Sequence, residues 1–425
     1  MKTITQIVQE SIHKMTSNDI PLILYAASSL CGRIARAFVS HGIHPHCICD
    51  EDVIKHGKSY YGLRVISPDK AVEMYPDAYY FVASGFHAPE IIGRLVYQMN
   101  VLPTKILNFE EVVWKRSCPY LETEAYLIAD QSKINFCCSD YGKQRSPFVK
   151  ISNNYNQLVF HYTQYRDNLI SNLQGGRSTL DCINCYCFKE GYYYVDRKIR
   201  KIFYSNDGGC NFHCFYCHNS AKHAIDLKNL SLISFPSFLS AFEQSGELSN
   251  NARLIMGAGE FTIHPLRLSL YKFCDYSEYI LTNGSVFDKR VSEILANGNT
   301  ALEISIDAGT SKTFESIKGV KSYQKVIENI KLYTNVQNSA VHLKYIFLPG
   351  INDNPVDVEG FIDICVKCKT EFAVISYDHN LELEEVPENT LKMIHLMEQG
   401  FHNNSILYAD YSGLTKTNRY RELSK

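Results

Sequence analysis

Cys210, Cys214 and Cys217 lie four and three residues apart in the stretch Asn206-Asp207-Gly208-Gly209-Cys210-Asn211-Phe212-His213-Cys214-Phe215-Tyr216-Cys217-His218. Thiolates are the usual ligands of iron–sulfur clusters, and this spacing lets one loop wrap three corners of a cube. Gly208 and Gly209 permit the tight entry such a loop needs. Three thiolates rather than four leave one iron open, which a catalytic metal site requires. The bland alternative is a zinc site or a chance cluster of buried cysteines. Zinc sites, however, commonly use four ligands in paired C-x2-C units.

Other cysteines could extend this chemistry. Cys182, Cys185 and Cys187 form C-x2-C-x-C upstream, a candidate auxiliary Fe–S or zinc site at Cys182 and Cys185. Cys365 and Cys368 could supply further ligands, but their place on the apolar side of a helical stretch favours buried free thiols. Adjacent Cys137 and Cys138 face opposite ways in an extended chain and read as core or surface residues. His218 reads as structural, with three cysteines already in place.

These residues need elements to position them. From about residue 200, strand-like runs recur at 199–205, 254–257, 279–282, 302–306, 341–347 and 372–376. Helical stretches at 236–244, 287–296, 323–333 and 355–368 lie between them, with Asn354 as cap and Pro355 at the first helical position of the last. Six such β/α repeats predict a partial (β/α)6 TIM-type barrel with its active site at the carboxyl ends of the strands. The three-cysteine loop follows the first of these strands.

Residues 1–110 have the rhythm of a small Rossmann-like parallel α/β domain. Strand-like runs lie at 21–26, 43–49, 78–83 and 105–107, and helical stretches include CGRIARAFVS after Ser28–Ser29 and PEIIGRLVYQM. The first turn, Ala26-Ala27-Ser28-Ser29-Leu30-Cys31-Gly32, keeps only the last glycine of a dinucleotide-binding turn, so a structural or partner-binding role is favoured over a nucleotide site. The segment resembles the N-terminal Rossmann-like domains of sugar-modifying acyltransferases. Residues 111–198 read as a linker with a helix, on which Leu158, Tyr162, Tyr165 and Leu169 recur as core positions, and a Cys-rich loop. The barrel spans 199–380. A C-terminal helix and extension, 381–425, carries the solvated acidic run Glu382, Glu384 and Glu385.

C-x3-C-x2-C with an aromatic residue, Tyr216, before the last cysteine resembles the signature of the radical S-adenosylmethionine (SAM) superfamily. The resemblance covers residues 200–380. It implies a 4Fe–4S cluster on Cys210, Cys214 and Cys217, with SAM chelating the open iron. Gly257-Ala258-Gly259-Glu260 is similar to the family's Gly-Gly-Glu segment, and Glu260 would accept from the SAM ammonium. Ser305 and Asp307 align with residues that contact the ribose or carboxylate, Lys344 could face the carboxylate, and Tyr216 would offer backbone to adenine. Thr282-Asn283-Gly284 and Leu348-Pro349-Gly350 match two further family elements. Bland readings of these residues are an ordinary turn, a helix-cap pair and a solvated edge charge. Their order along the chain, each at a strand end, favours function.

The resemblance implies reductive cleavage of SAM to a 5′-deoxyadenosyl radical and hydrogen abstraction from a small molecule, a sugar, nucleotide or amino acid derivative. An electron donor such as flavodoxin or ferredoxin would be the partner. A peptide- or protein-modifying enzyme or a glycyl-radical activase is the second reading, since Tyr216-Cys217-His218-Asn219 resembles the activases. A non-catalytic Fe–S or zinc protein is the third. A formal net charge of −2 gives no global drive toward nucleic acid or membrane. With 45% hydrophobic and 21% charged residues the chain reads as globular. No signal-peptide core or membrane-length apolar run is found, so a cytoplasmic location is expected, where fifteen cysteines are not a disulfide framework.

Overall fold

The computed structural model describes residues 1–128, 133–136, 148–150, 154–177, 182, 185, 187–205, 209–217, 235–257, 259–378 and 386–423. Two compact units are present. One comprises Met1–Asp207, Asp226–Met256 and Tyr276–Glu278; the other comprises Gly208–Ile225, Gly257–Asp275 and Tyr279–Lys425.

The first unit opens with five short strands: β1 (Leu22–Tyr25), β2 (Cys47–Cys49), β3 (Ser59–Tyr60), β4 (Leu63–Ile66) and β5 (Tyr79–Val82). Their order is β3-β4-β2-β1-β5, parallel except for the β3–β4 pair. Every residue of β1, β2 and β5 is buried, as strands covered on both faces must be. Ser28 caps the helix Ser29–Ser40 by accepting from the Cys31 N–H at 3.2 Å. Two expectations are modified here. The run at 105–107 forms a 3-10 turn, Pro103–Lys105, and a single bridge from Ile106 to Tyr80, because Pro103 offers no N–H to a ladder. PEIIGRLVYQM is helical only as Ala88–Gly93 and then widens to a π turn, Arg94–Gln98. Gly93 lies under the Tyr192 ring, which a Cβ would meet at 2.3 Å.

The same unit holds β6 (Val112–Ser117), β7 (Glu124–Ile128), β8 (Lys133–Asn135), β9 (Phe148–Lys150), β10 (Lys189–Tyr194), β11 (Ile199–Ser205) and all but the last residue of β12 (Leu248–Gly257). β6 and β10 pair antiparallel, and β12-β11-β7-β8-β9 lie side by side, with β11 parallel to β7. The helix Tyr155–Gln174 buries Leu158, Tyr162 and Leu169 as expected, with Tyr162 stacked on Phe136. Tyr165 departs from the expected core at 45% exposure, its ring tilted against Phe136 with centroids 5.3 Å apart.

In the second unit, β13 (Ser277–Thr282, whose first two residues belong to the other unit), β14 (Ala301–Ser305), β15 (Val341–Phe347), β16 (Phe372–Tyr377) and β17 (Leu407–Asp410) run parallel in sequence order. These are the last four strands of the expected six-strand β/α series, extended by β17; the first two, β11 and most of β12, belong to the first unit. Helices alternate with the strands. Lys289–Ala296 buries Val291, Ile294 and Leu295, and Pro355–Lys367 is capped by Asn354 as its sequence predicts. That last helix approaches backbone to backbone: a Cβ on Gly309 would fall 2.0 Å from the Asp357 carbonyl, and one on Gly360 2.5 Å from the Gly309 carbonyl. Asp357 also accepts from the N–H groups of Gly309 (3.1 Å) and Thr310 (3.2 Å), which fixes the loop leaving β14. Among the described residues, no helix is long and apolar enough to cross a membrane.

Candidate functional site

The cysteine loop, 209–217, belongs to the second unit and is tied at both ends. Gly209, at φ +75°, turns the chain so that its carbonyl accepts from the Glu260 N–H at 2.9 Å. Asn211 is held by Asn283 (2.9 Å) and Ser285 (2.9 Å), and the buried Phe212 ring meets Phe314 edge-on. Further along, the His213 N–H donates to the Lys318 carbonyl (2.9 Å) and the Phe215 N–H to Ile317 (3.3 Å). The loop therefore rests on the carboxyl end of the helix Ser311–Lys318.

Donors suited to a thiolate surround this loop. Cys210 Sγ accepts from the Phe212 N–H and from Asn283 Nδ2, each at 3.4 Å. Burial raises the Cys210 thiol pKa, an effect that these two hydrogen bonds oppose. Burial pushes Cys214 up to about 11, against the pull of Lys318, while Cys210 and Cys217 add to the push. Three thiols close enough to act on one another, with N–H donors and an ammonium beside them, fit a cluster whose iron would hold them as thiolates. No three Cys, His, Asp or Glu side chains among the described residues close on one ion position, whereas a cubane asks each thiolate to reach a different iron.

Glu260 follows β12 and is fully buried. Its Oε1 accepts from the Thr262 N–H (3.1 Å), the Thr262 hydroxyl (2.5 Å) and the Thr282 hydroxyl (2.6 Å), and its Oε2 from the Asn283 N–H (2.6 Å). Burial raises its pKa, while these hydrogen bonds favour the ionised form. Glu260 thus joins the turn after β12 to Thr282-Asn283-Gly284. Gly284, at φ +72°, leaves no space for a Cβ, which would meet Ile304 at 2.9 Å.

Asp307 lies just past β14 at φ +58° and is fully buried. Its carboxylate accepts from the Tyr216 hydroxyl (2.6 Å), the Ile346 N–H (2.8 Å) and the Lys318 ammonium, and its carbonyl accepts from Asn352 Nδ2 (2.8 Å). Ser305 and Lys344 are register partners on β14 and β15 and share a face. Lys344 Nζ lies 3.8 Å from Glu303 Oε1 and over the Tyr411 ring. Asn352 also fixes the turn at Leu348-Pro349-Gly350 by accepting from the Leu348 N–H at 2.7 Å.

Cys210, Glu260 and the Thr282-Asn283-Gly284 turn form one hydrogen-bonded network, and Tyr216 and Asp307, with Lys318, form a second further along the same loop. Cys182 and Cys185 lie in a turn of the first unit, half-buried, with the Cys185 N–H donating to the Cys182 carbonyl at 3.2 Å. Cys365 and Cys368 are buried at 0% and 2% exposure, as packed thiols are. Cys137, Cys138, Asn206, Asp207, Gly208, His218, Asn219, Ala258, Glu382, Glu384 and Glu385 lie outside the described residues. Sequence reasoning missed Lys318 and Asn352. Lys318 had one available signal: Lys followed by Gly319 is a common helix stop.

The first unit holds a cavity of about 350 Å³. Leu30, in the first turn of the helix after β1, and Ser84, Phe86 and His87, after β5, line it at the point where this sheet's strand order reverses. Tyr193 and Arg200 line it from β10 and β11.

A parallel β/α series with a three-thiol loop beside a buried carboxylate defines an α/β protein. Residues 208–362 match the radical SAM superfamily, so this part of the chain carries a radical SAM domain. It is 27% identical over 152 residues to a protein named probable GTP 3′,8-cyclase from Archaeoglobus fulgidus, covering 35% of this chain and 49% of that one. A GTP 3′,8-cyclase from Petrotoga mobilis is 24% identical over 192 residues, covering 43% of this chain and 58% of the relative. The chain spans about half the length of these curated relatives. Among solved structures, Streptococcus suis SuiB bound to the precursor peptide SuiA superposes with a TM-score of 0.43 at 14% identity, over 65% of this chain and 58% of that one.

Proposed function

We propose that the chain is a radical SAM enzyme acting on a small molecule: a sugar, nucleotide or amino acid derivative. The observation that carries this reading is the environment of the loop thiols. Two N–H donors reach Cys210 and a buried ammonium lies beside Cys214, within the segment that matches the superfamily. In this reading Cys210, Cys214 and Cys217 hold the 4Fe–4S cluster. Held there and reduced, the cluster would supply the single electron needed to cleave SAM at its C5′–S bond.

This chain's residues hold and orient. Gly257, where a Cβ would meet Leu281 at 2.6 Å, and Gly259, at φ +64°, shape the turn that carries Glu260, whose Oε2 takes one hydrogen bond, from the Asn283 N–H, and would accept a second from the SAM ammonium. Ser305 and Lys344, on one face of neighbouring strands, receive the ribose and carboxylate. Tyr216 and Asp307 serve mainly to position the loop, with Tyr216 offering its backbone to adenine. A flavodoxin- or ferredoxin-type protein would deliver the electron. The GTP 3′,8-cyclase names of the relatives favour a nucleotide among the small molecules. The 350 Å³ cavity at the strand-order switch of the first unit offers a second place for a small molecule.

The test is anaerobic reconstitution with iron and sulfide, dithionite reduction, and chromatography for 5′-deoxyadenosine. Wild type should form it, and a Cys210/Cys214/Cys217→Ala variant should not. Nucleoside triphosphates are then screened for increased yield and for deuterium transfer into 5′-deoxyadenosine. A loaded wild-type cluster that neither cleaves SAM nor changes its EPR signal on SAM addition would overturn the proposal.

A further inference from the structure

Lys318 has an unusual setting for a lysine. It ends the helix Ser311–Lys318, is 1% exposed, and places its ammonium on the Asp307 carboxylate and 3.1 Å from the Tyr216 hydroxyl. Its own carbonyl supports the loop at His213, so the helix end that carries the ammonium also carries the backbone beside Cys214. Gly319 makes this approach possible: its φ is +68°, and a Cβ there would meet His213 Cβ at 3.0 Å and His213 O at 3.1 Å.

Holding a loop does not require charge. A buried ion pair is often no more stabilising than apolar residues of similar volume, because both charges must leave water. What the pair adds is a fixed dipole in a medium of low dielectric. Both charges meet the cysteine loop at Tyr216, between Cys214 and Cys217: its hydroxyl donates to Asp307 at 2.6 Å and accepts from the Lys318 ammonium at 3.1 Å.

Resting on the iron–sulfur reading above, we propose that Lys318 and Asp307 form a buried dipole that sets the reduction potential of the cluster on Cys210, Cys214 and Cys217. Reduction adds one negative charge to the cluster, and a cation near its thiolates favours that state. The ammonium raises the potential and the carboxylate lowers it. Both are positioning residues, acting on the cluster through the field at its ligands.

The two charges predict opposite signs, which a purely mechanical clamp does not. The full-length protein, reconstituted anaerobically and without SAM, is titrated with dithionite and mediators while the reduced-cluster EPR signal is followed. Relative to wild type, Lys318→Met should move the midpoint to lower potential and Asp307→Asn to higher potential, while Lys318→Arg stays near wild type. Iron and sulfide content identifies variants that carry a full cluster. If Lys318→Met holds none, Asp307→Asn alone decides by the sign of its shift. Shifts of the same sign in both variants, or no shift in fully loaded protein, would overturn the dipole proposal and leave the cluster reading intact. A wild type that assembles no 4Fe–4S cluster would overturn that reading, and the proposal with it.

Discussion

Glu260 illustrates how much one side chain holds in this site. Four hydrogen bonds converge on its carboxylate, two from Thr262, two positions on, and two from residues more than twenty positions away. Glu260→Gln turns one acceptor into a donor facing other donors, leaving buried groups unpaired. Expected is a loss of about 2–3 kcal/mol in urea denaturation, with weaker SAM binding by the reconstituted protein. His264, four residues on, gives a pH signature. It is 2% exposed, its Nδ1 accepts from the Leu266 N–H at 3.1 Å, and burial lowers its pKa from 6.5 to about 4. The unfolded chain therefore binds the extra proton first as pH falls. The stabilisation is complete above about pH 6.5, is lost as pH falls to about 4, and changes no further below that. The expected loss is about 2 kcal/mol after allowance for solvent screening. Denaturation midpoints measured between those pH values should fall more steeply for wild type than for His264→Asn.

At the scale of elements, strands and long helices were largely legible because each carries a dense apolar run between turn signals. VHLKYIF and FAVISY became β15 and β16 with nearly the expected bounds. The helix Ser311–Lys318 was not legible: in SKTFESIK only Phe314 and Ile317 supply buried apolar side chains, too few to mark a period. The same reason hid Lys318, whose role depends on where that helix ends. The cysteine loop was legible from three residues, whereas the hydrogen bonds on Glu260 were not, because Thr282 and Asn283 lie more than twenty positions from it in sequence. This scale has its own prediction. Gly319→Ala meets both a positive φ and the loop at His213, while Gly350, at φ +75°, faces open space. Gly350→Ala should cost about 1 kcal/mol from backbone strain alone. Gly319→Ala should cost more and also lower the iron content after reconstitution, which Gly350→Ala should leave at wild-type level.

The whole molecule combines a radical SAM domain with a parallel α/β sheet whose first turn looks like a lost nucleotide site. Loss of glycine is only part of the reason. Ala26 adopts φ +84°, so the backbone keeps a glycine-like conformation without the residue. Asp50, at the end of β2 where a ribose-binding acid would stand, instead accepts from the Ala27 N–H (2.7 Å), the Asp52 N–H (2.9 Å) and Lys55 (3.2 Å). Tyr61 covers Gly32, where an added Cβ would lie 2.4 Å from the ring. The groups that would cradle a pyrophosphate and a ribose are therefore engaged within the protein. Restoring the glycine should separate strain from binding. Ala26→Gly relieves a strained alanine but also loosens the unfolded chain, so it should be neutral or stabilising by up to about 1 kcal/mol. It should not create affinity for NAD, because Asp50 and Tyr61 remain in place. Thermal melts of wild type and Ala26→Gly, each with and without millimolar NAD, test both statements. A melting shift with NAD in either protein would show that Asp50 or Tyr61 yields to a ligand, and would return this unit to the class of nucleotide binders.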